Sequence, residues 1–162
     1  MCSASGARAD GTRVIYSHLL FFYGIEFEDL LVKIIQCIGY YRRFIMRLEE
    51  LQVYRSAMEI ADIIWKTVQK WDYFAQDVIG KQLIRAVDSI AANLSEGYGR
   101  FHYKENKQFC YFSRGSLYEC RTWLKKAHNR DLINENQYKT FEEELNKLSI
   151  KLNNYINTIG NK

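Results

Sequence analysis

Basic and aromatic side chains are interleaved in two stretches of the chain. Arg100, Phe101, His102, Tyr103, Lys104 and Lys107 fall together, and Arg121, Lys125, Lys126 and Arg130 follow later. Lys and Arg neutralise phosphates, and exposed rings stack on unpaired bases, so the chemistry suggested is nucleic-acid binding. From Lys81 to Arg130 ten basic residues stand against four acidic ones, a local charge of +6. From Arg47 onward the rest of the chain holds eight basic and eleven acidic residues, a local −3. The candidate binding set is therefore Lys81, Arg85, Arg100, Lys104, Lys107, Arg114, Arg121, Lys125, Lys126 and Arg130. The plain alternative is a solvated helix surface, because the helix dipole alone favours cations near a C-terminus.

Other chemistries lack their residues. No P-loop, G-x-S-x-G, H-E-x-x-H or dinucleotide fingerprint occurs. Gly97-Tyr98-Gly99-Arg100 follows a predicted helix instead of preceding one, so it lacks the geometry that holds phosphate at a helix N-terminus. None of His18, His102 and His128 has a Glu three residues before it, as a di-iron bundle site would need. Cys2, Cys37, Cys110 and Cys120 show no C-x-x-C spacing. Reduced thiols in a cytoplasmic protein are the simplest reading. No catalytic residue, metal or cofactor is expected.

The elements that position these residues read as helices. The chain has 162 residues, 48% hydrophobic and 26% charged, and no proline. That length suits one core, and a proline-free sequence permits long helices. Tyr54, Ala57, Ala61, Ile64, Val68 and Trp71 alternate at three and four residues, which predicts a first helix over Leu51 to Lys70. Ile79, Leu83, Val87, Ile90 and Leu94 predict a second, to about Glu96, with Gly97 and Gly99 ending it in the left-handed region. Its polar stripe, Arg85, Ser89, Asn93 and Glu96, is either solvated or forms a buried network or subunit contact.

A third helix opens at His102, with Glu105 as its capping partner. Phe109, Phe112, Ser116, Trp123 and Ala127 supply its apolar face, widened by Cys110, Leu117, Cys120 and Leu124. Gly115 in its middle implies close approach of another backbone, or else a tolerated defect. The fourth helix starts at Asn134, capped with Gln137, and repeats Tyr138, Phe141, Leu145, Leu148, Leu152, Tyr155 and Ile159. Four such helices with short connections make an all-α, antiparallel up-down-up-down four-helix bundle.

Residues 1–46 read differently. Met1 to Arg13 is small and polar, and Val14 to Ile25 offers about a dozen apolar residues, short of the roughly 20 that span a bilayer. Leu31, Ile34, Ile35 and Ile38 suit a short helix within Leu30 to Ile45. The chain thus divides into an N-terminal leader, 1–46, partly disordered or the product of an overlong reading frame starting before Met46, and a bundle domain, 47–162.

Three groups of residues carry a family likeness. They are Leu51-Gln52-Val53-Tyr54, then Gln82-Leu83-Ile84-Arg85-Ala86, then Ser89-Ile90-Ala91-Ala92-Asn93-Leu94-Ser95-Glu96-Gly97-Tyr98-Gly99-Arg100. With Lys104-Glu105, Phe109 and Arg114-Gly115-Ser116-Leu117-Tyr118-Glu119, the chain resembles the four-helix-bundle proteins encoded by intervening sequences in bacterial 23S ribosomal RNA genes. The resemblance implies an antiparallel bundle assembling as a ring, homopentamers being known in that family. A relative, the accessory variability determinant of diversity-generating retroelements, binds nucleic acid and a reverse transcriptase. The resemblance also assigns Asn93, Glu96, Gly97, Gly99, Arg100, Glu105, Gly115, Ser116 and Glu119 to bundle and inter-subunit contacts.

This chain departs from that pattern in three places. Asp72 and Ala91 stand where relatives often have proline, and His102 where a serine is common. Without proline the turn at Asp72 is expected to loosen, Ala91 to regain a backbone donor, and His102 to cap less well. Two functions compete: a non-enzymatic oligomer that binds RNA or DNA through helices 2 and 3, and an adaptor module partnering a nucleic-acid enzyme such as a reverse transcriptase.

Overall fold

The three-and-four spacing of apolar residues becomes four helices in the computed structural model, which describes residues 33, 34 and 47–160. They are α1 (Gln52–Val68), α2 (Lys81–Gly99), α3 (Tyr103–Asn129) and α4 (Glu135–Thr158). The described helices form an all-α four-helix bundle within the unit Leu48–Lys162. Expectations for the leader lie outside the described residues, apart from helical Lys33 and Ile34.

Each helix packs on its neighbour in sequence, and α1 also packs against α4, so the four enclose one core. Along α2 and α3 the partners run in opposite order. Gly97, late in α2, faces Asn106, early in α3, and Ile90, earlier in α2, meets Ser113, later in α3. Between α3 and α4 the same reversal pairs Asn106 with Tyr155, Arg121 with Asn146 and His128 with Glu135. Thus α2, α3 and α4 alternate in direction.

The aliphatic members of the predicted stripes of α1, α2 and α4 fill the core, while Tyr54, Trp71 and Tyr138 pack half-buried at its edge. Ala57, Ala61, Ile64 and Val68 are buried with Val53 and Ile60 from α1, and Ile79, Leu83, Val87, Ile90 and Leu94 from the second segment. Phe141, Leu145, Leu148, Leu152 and Ile159 are buried from the fourth, with Ile156 replacing the half-buried Tyr155. Asn134 and Gln137 form the expected capping box, each side chain bonding the other's backbone at 2.9 and 3.0 Å.

The expected apolar face of α3 is corrected. Asn106, Cys110, Ser113, Leu117, Cys120, Leu124 and Ala127 turn inward, while Phe112 is 49% exposed and Phe109, Ser116 and Trp123 are half-buried. The inward set also repeats at four and three, but two of its members are polar. Weighting the large aromatics rotated the face onto the neighbouring stripe.

Two expectations about helix ends also change, and the weaker cap expected at His102 is met. Gly97 and Gly99 are not left-handed: α2 runs through both and ends on extended Arg100, φ −76°. His102 stands at the N-cap of α3 without a side-chain cap bond. The turn at Asp72 is held, since its carboxylate accepts from the Ala75 N–H at 2.9 Å and starts a helical turn, Tyr73–Ala75. The Gln76 side chain donates to the Gln69 and Trp71 carbonyls, tying the same connection. A π-helical turn, Gln76–Gly80, then leads into α2, so the helical stretch begins earlier than the apolar pattern indicates. A Cβ on Gly80 would lie 2.6 Å from Val68 Cγ1, so glycine lets this turn press on the end of α1.

Candidate nucleic-acid interface

The ten candidate cations divide by helix. On α2, Lys81 pairs with Asp77, whose hydrogen bond raises the lysine pKa, and Arg100 pairs with Glu96. Both are one-turn pairs on an exposed surface, where the carboxylate offsets the charge a phosphate would meet. Arg85 is exposed. The Arg100 guanidinium also lies 4.9 Å from the Phe109 ring centroid on α3.

Five cations of α3 share one stripe. Lys104, Lys107, Tyr111, Arg114, Tyr118, Arg121 and Lys125 follow at alternating intervals of three and four, and all are exposed or half-buried. At about 1.5 Å per residue the row is about 30 Å long. The two carboxylates of α3, Glu105 and Glu119, each follow a stripe residue directly and so turn about 100° off it.

The arginines of this stripe are held from α4 by amides. Arg121 Nη2 donates to Asn146 Oδ1 at 2.7 Å, and Arg114 Nη1 to Asn153 Oδ1 at 3.5 Å. Neutral acceptors orient a guanidinium without cancelling its charge. One carboxylate reaches the row, Glu142, 3.6 Å from Arg121 Nη1. Beyond Glu144, α4 carries no acidic residue; its charged side chains there are Lys147 and Lys151. Arg114 lies over Tyr111 at 5.0 Å, Arg121 over Tyr118 at 5.8 Å, and Lys125 over Tyr138 of α4 at 4.9 Å. Lys126 instead lies over Trp123, 4.1 Å away, and Arg130 is exposed just past the helix. The sequence grouping therefore mixes three settings.

The motif residues gather around the α2–α3 contact. Asn93 Nδ2 donates to the Ser89 carbonyl at 2.7 Å and to Ser116 Oγ at 3.4 Å, so the polar stripe of α2 is partly a network to α3. A Cβ on Gly97 would come within 2.7 Å of Phe109 Cβ and 2.9 Å of Asn106 Oδ1, so this glycine is a point of close approach. Gly115 and Gly99 have nothing within 4 Å of such a Cβ, so Gly115 answers to no close neighbour among the described residues. Glu119 accepts from Trp123 Nε1 at 3.4 Å, and Glu105 is exposed.

Two polar residues escaped sequence reasoning. Asn106 is 1% exposed, accepts from Cys110 Sγ at 3.6 Å and donates to the Tyr155 hydroxyl at 3.4 Å. Fully buried Ser113 donates to the Ile90 carbonyl at 2.9 Å. Their signal lay in the four-and-three repeat they share with Cys110, Leu117 and Leu124. Among the described residues no group of three or more His, Cys, Asp or Glu is placed to hold a metal ion. No described helix is long and apolar enough to cross a membrane.

The profile of the 23S rRNA-intervening sequence protein family matches residues 49–154, well over half of the chain. The chain belongs to that family. The match takes in every cation of the α3 stripe and the arginine-holding asparagines Asn146 and Asn153. No curated protein matches the chain. Membership in the 23S rRNA-intervening sequence proteins agrees with the all-helical fold and with the motif residues at the α2–α3 contact.

Proposed function

We propose that this 23S rRNA-intervening sequence protein is a non-enzymatic, oligomeric nucleic-acid-binding bundle of the cytoplasm. The observation that carries the reading is the α3 row of five cations, whose arginines are oriented by neutral amides from α4. Lys81, Arg85, Arg100, Lys126 and Arg130 add long-range attraction, with Lys81 and Arg100 blunted by their carboxylates. Self-assembly, as a pentamer in keeping with the family likeness, would use the outer α2–α3 surface, where Phe112, 49% exposed, stands one turn before open Gly115 on α3. The match beginning at residue 49 supports treating residues 1–46 as a leader apart from the domain 47–162.

Electrophoretic mobility of labelled RNA and DNA with purified protein tests this reading, alongside light scattering for subunit number. Binding should weaken steeply with salt, because phosphate contacts release counterions. Unchanged mobility at micromolar protein and low salt would sink it. A second reading, an adaptor for a nucleic-acid enzyme such as a reverse transcriptase, is favoured by Tyr73 and Phe74, 83% and 75% exposed side by side. Retention of such an enzyme by the native chain but not by Tyr73→Ser/Phe74→Ser would support it.

A further inference from the structure

We infer that the α3–α4 face binds an unpaired nucleic-acid strand in preference to a duplex, with Tyr111 and Tyr118 as base platforms and Arg114 and Arg121 as phosphate clamps. The inference rests on the nucleic-acid reading above and adds the form of the ligand.

Three observations carry it. First, the row alternates chemistry: Lys107, then Tyr111, then Arg114, then Tyr118, then Arg121, at one spacing of three and four. Paired bases are stacked on one another and offer no face to a flat protein surface, so on a duplex a tyrosine in this row would serve only through its hydroxyl to a phosphate. A single strand presents a phosphate and a free base at every nucleotide, and so uses the ring faces as well as the cations. Second, the rings are available: Tyr118 is 59% exposed and Tyr111 39%. Each has an arginine over it, at 5.8 and 5.0 Å, which fixes the ring and adds a flat cation beside it for the same base. Third, both arginines are prepositioned by neutral amides, Asn146 and Asn153, and a carboxylate (Glu142, 3.6 Å) stands only beside Arg121. An arginine used only for bundle stability would do as well with a carboxylate, as Arg100 does with Glu96.

An acidic peptide is the competing occupant, but it would use the cations and leave the tyrosines without a planar partner. The row is about 30 Å long, room for several extended nucleotides and more than one stacked base.

The test measures fluorescence anisotropy of a labelled, unstructured RNA of about 12 nucleotides, within the usual single-strand site range, against the same sequence annealed to its complement. Both are titrated with the full chain between about 50 and about 200 mM salt. The single strand should bind at least about tenfold more tightly, because stacking on even one ring is worth that much. Tyr111→Leu/Tyr118→Leu should lose that advantage while keeping the salt dependence. Asn146→Asp/Asn153→Asp leaves both arginines in place but gives each a carboxylate; it should weaken binding and flatten the salt slope by up to about 1.4, about 0.7 for each phosphate lost. These positions are exposed or half-buried, and a thermal melt of each variant confirms the fold. Equal affinity for strand and duplex, tyrosine variants that bind like the native chain, or polyglutamate competing as well as unlabelled RNA would each overturn this inference while leaving a charge-based interface. Failure to bind either form would remove the nucleic-acid reading and the inference together.

Discussion

Along α2, helix α3 packs backbone-close: Gly97 admits Asn106 and Phe109, and Ser113 bonds the Ile90 carbonyl inside the seam. Along α4 the outer contact is made at arm's length, by arginines reaching to asparagine amides over a half-exposed surface. One helix thus carries a tight structural seam on one side and an adjustable charged one on the other. Polar residues near α2 are spent on holding the bundle together, and cations toward α4 stay exposed or half-buried. On the proposed reading, the motif residues at the α2–α3 seam and the binding row are largely different sets.

That contrast can be broken first at Gly97. Gly97→Ala should destabilise the protein by about 1–3 kcal/mol, an overpacking penalty that outweighs alanine's helix propensity. The atoms it would strike, Phe109 Cβ and the Asn106 carbonyl, are fixed to the α3 backbone. Urea denaturation checks this, and an unchanged midpoint would mean the seam is looser than described. Ser113→Ala should cost about 1 kcal/mol in the same assay, since it removes one buried hydrogen bond whose acceptor lies on a helix.

Gly115→Ala runs the other way. With nothing within 4 Å, it should gain about 0.5–1 kcal/mol by helix propensity alone. A loss of subunit association in light scattering, with the gain in monomer stability intact, would place Gly115 in a contact between copies.

The smallest effect belongs to the α4 side. Glu135 bonds Lys139, which holds its carboxyl below the usual range, and lies 3.1 Å from His128 Nε2. A depressed folded pKa contributes stability above the unfolded value near 4.5 that is lost as pH falls through the folded value. Glu135→Gln should therefore lower Tm slightly at neutral pH and match the native chain at about pH 3. A difference persisting in acid would assign the effect to packing.

Helices α1, α2 and α4 were legible because their buried stripes are almost wholly aliphatic, so spacing and hydrophobicity agree. On α3 they disagree. Asn106 and Ser113 lie inward and Phe112 outward, and only a partner helix can satisfy the first two and leave the third in water. The capping box at Asn134 was legible because both partners sit on one short segment, whereas the cap at Asp72 was hidden by the comparison with proline. The ten cations were visible as a cluster. Their division was not, because the amides that hold Arg121 and Arg114 lie 25 and 39 positions away in sequence.

The sulfur atoms of the core set a clock on the fold. Cys110 and Cys120 are both fully buried, and burial pushes the Cys120 thiol up to about 12. At neutral pH the Cys120 thiol stays protonated, and neither buried sulfur is open to a reagent while the helices remain packed. Their alkylation must wait for α3 to leave the core. The rate at which a small maleimide consumes these two thiols therefore counts openings of the native bundle, without denaturant and at whatever salt or ligand concentration is chosen.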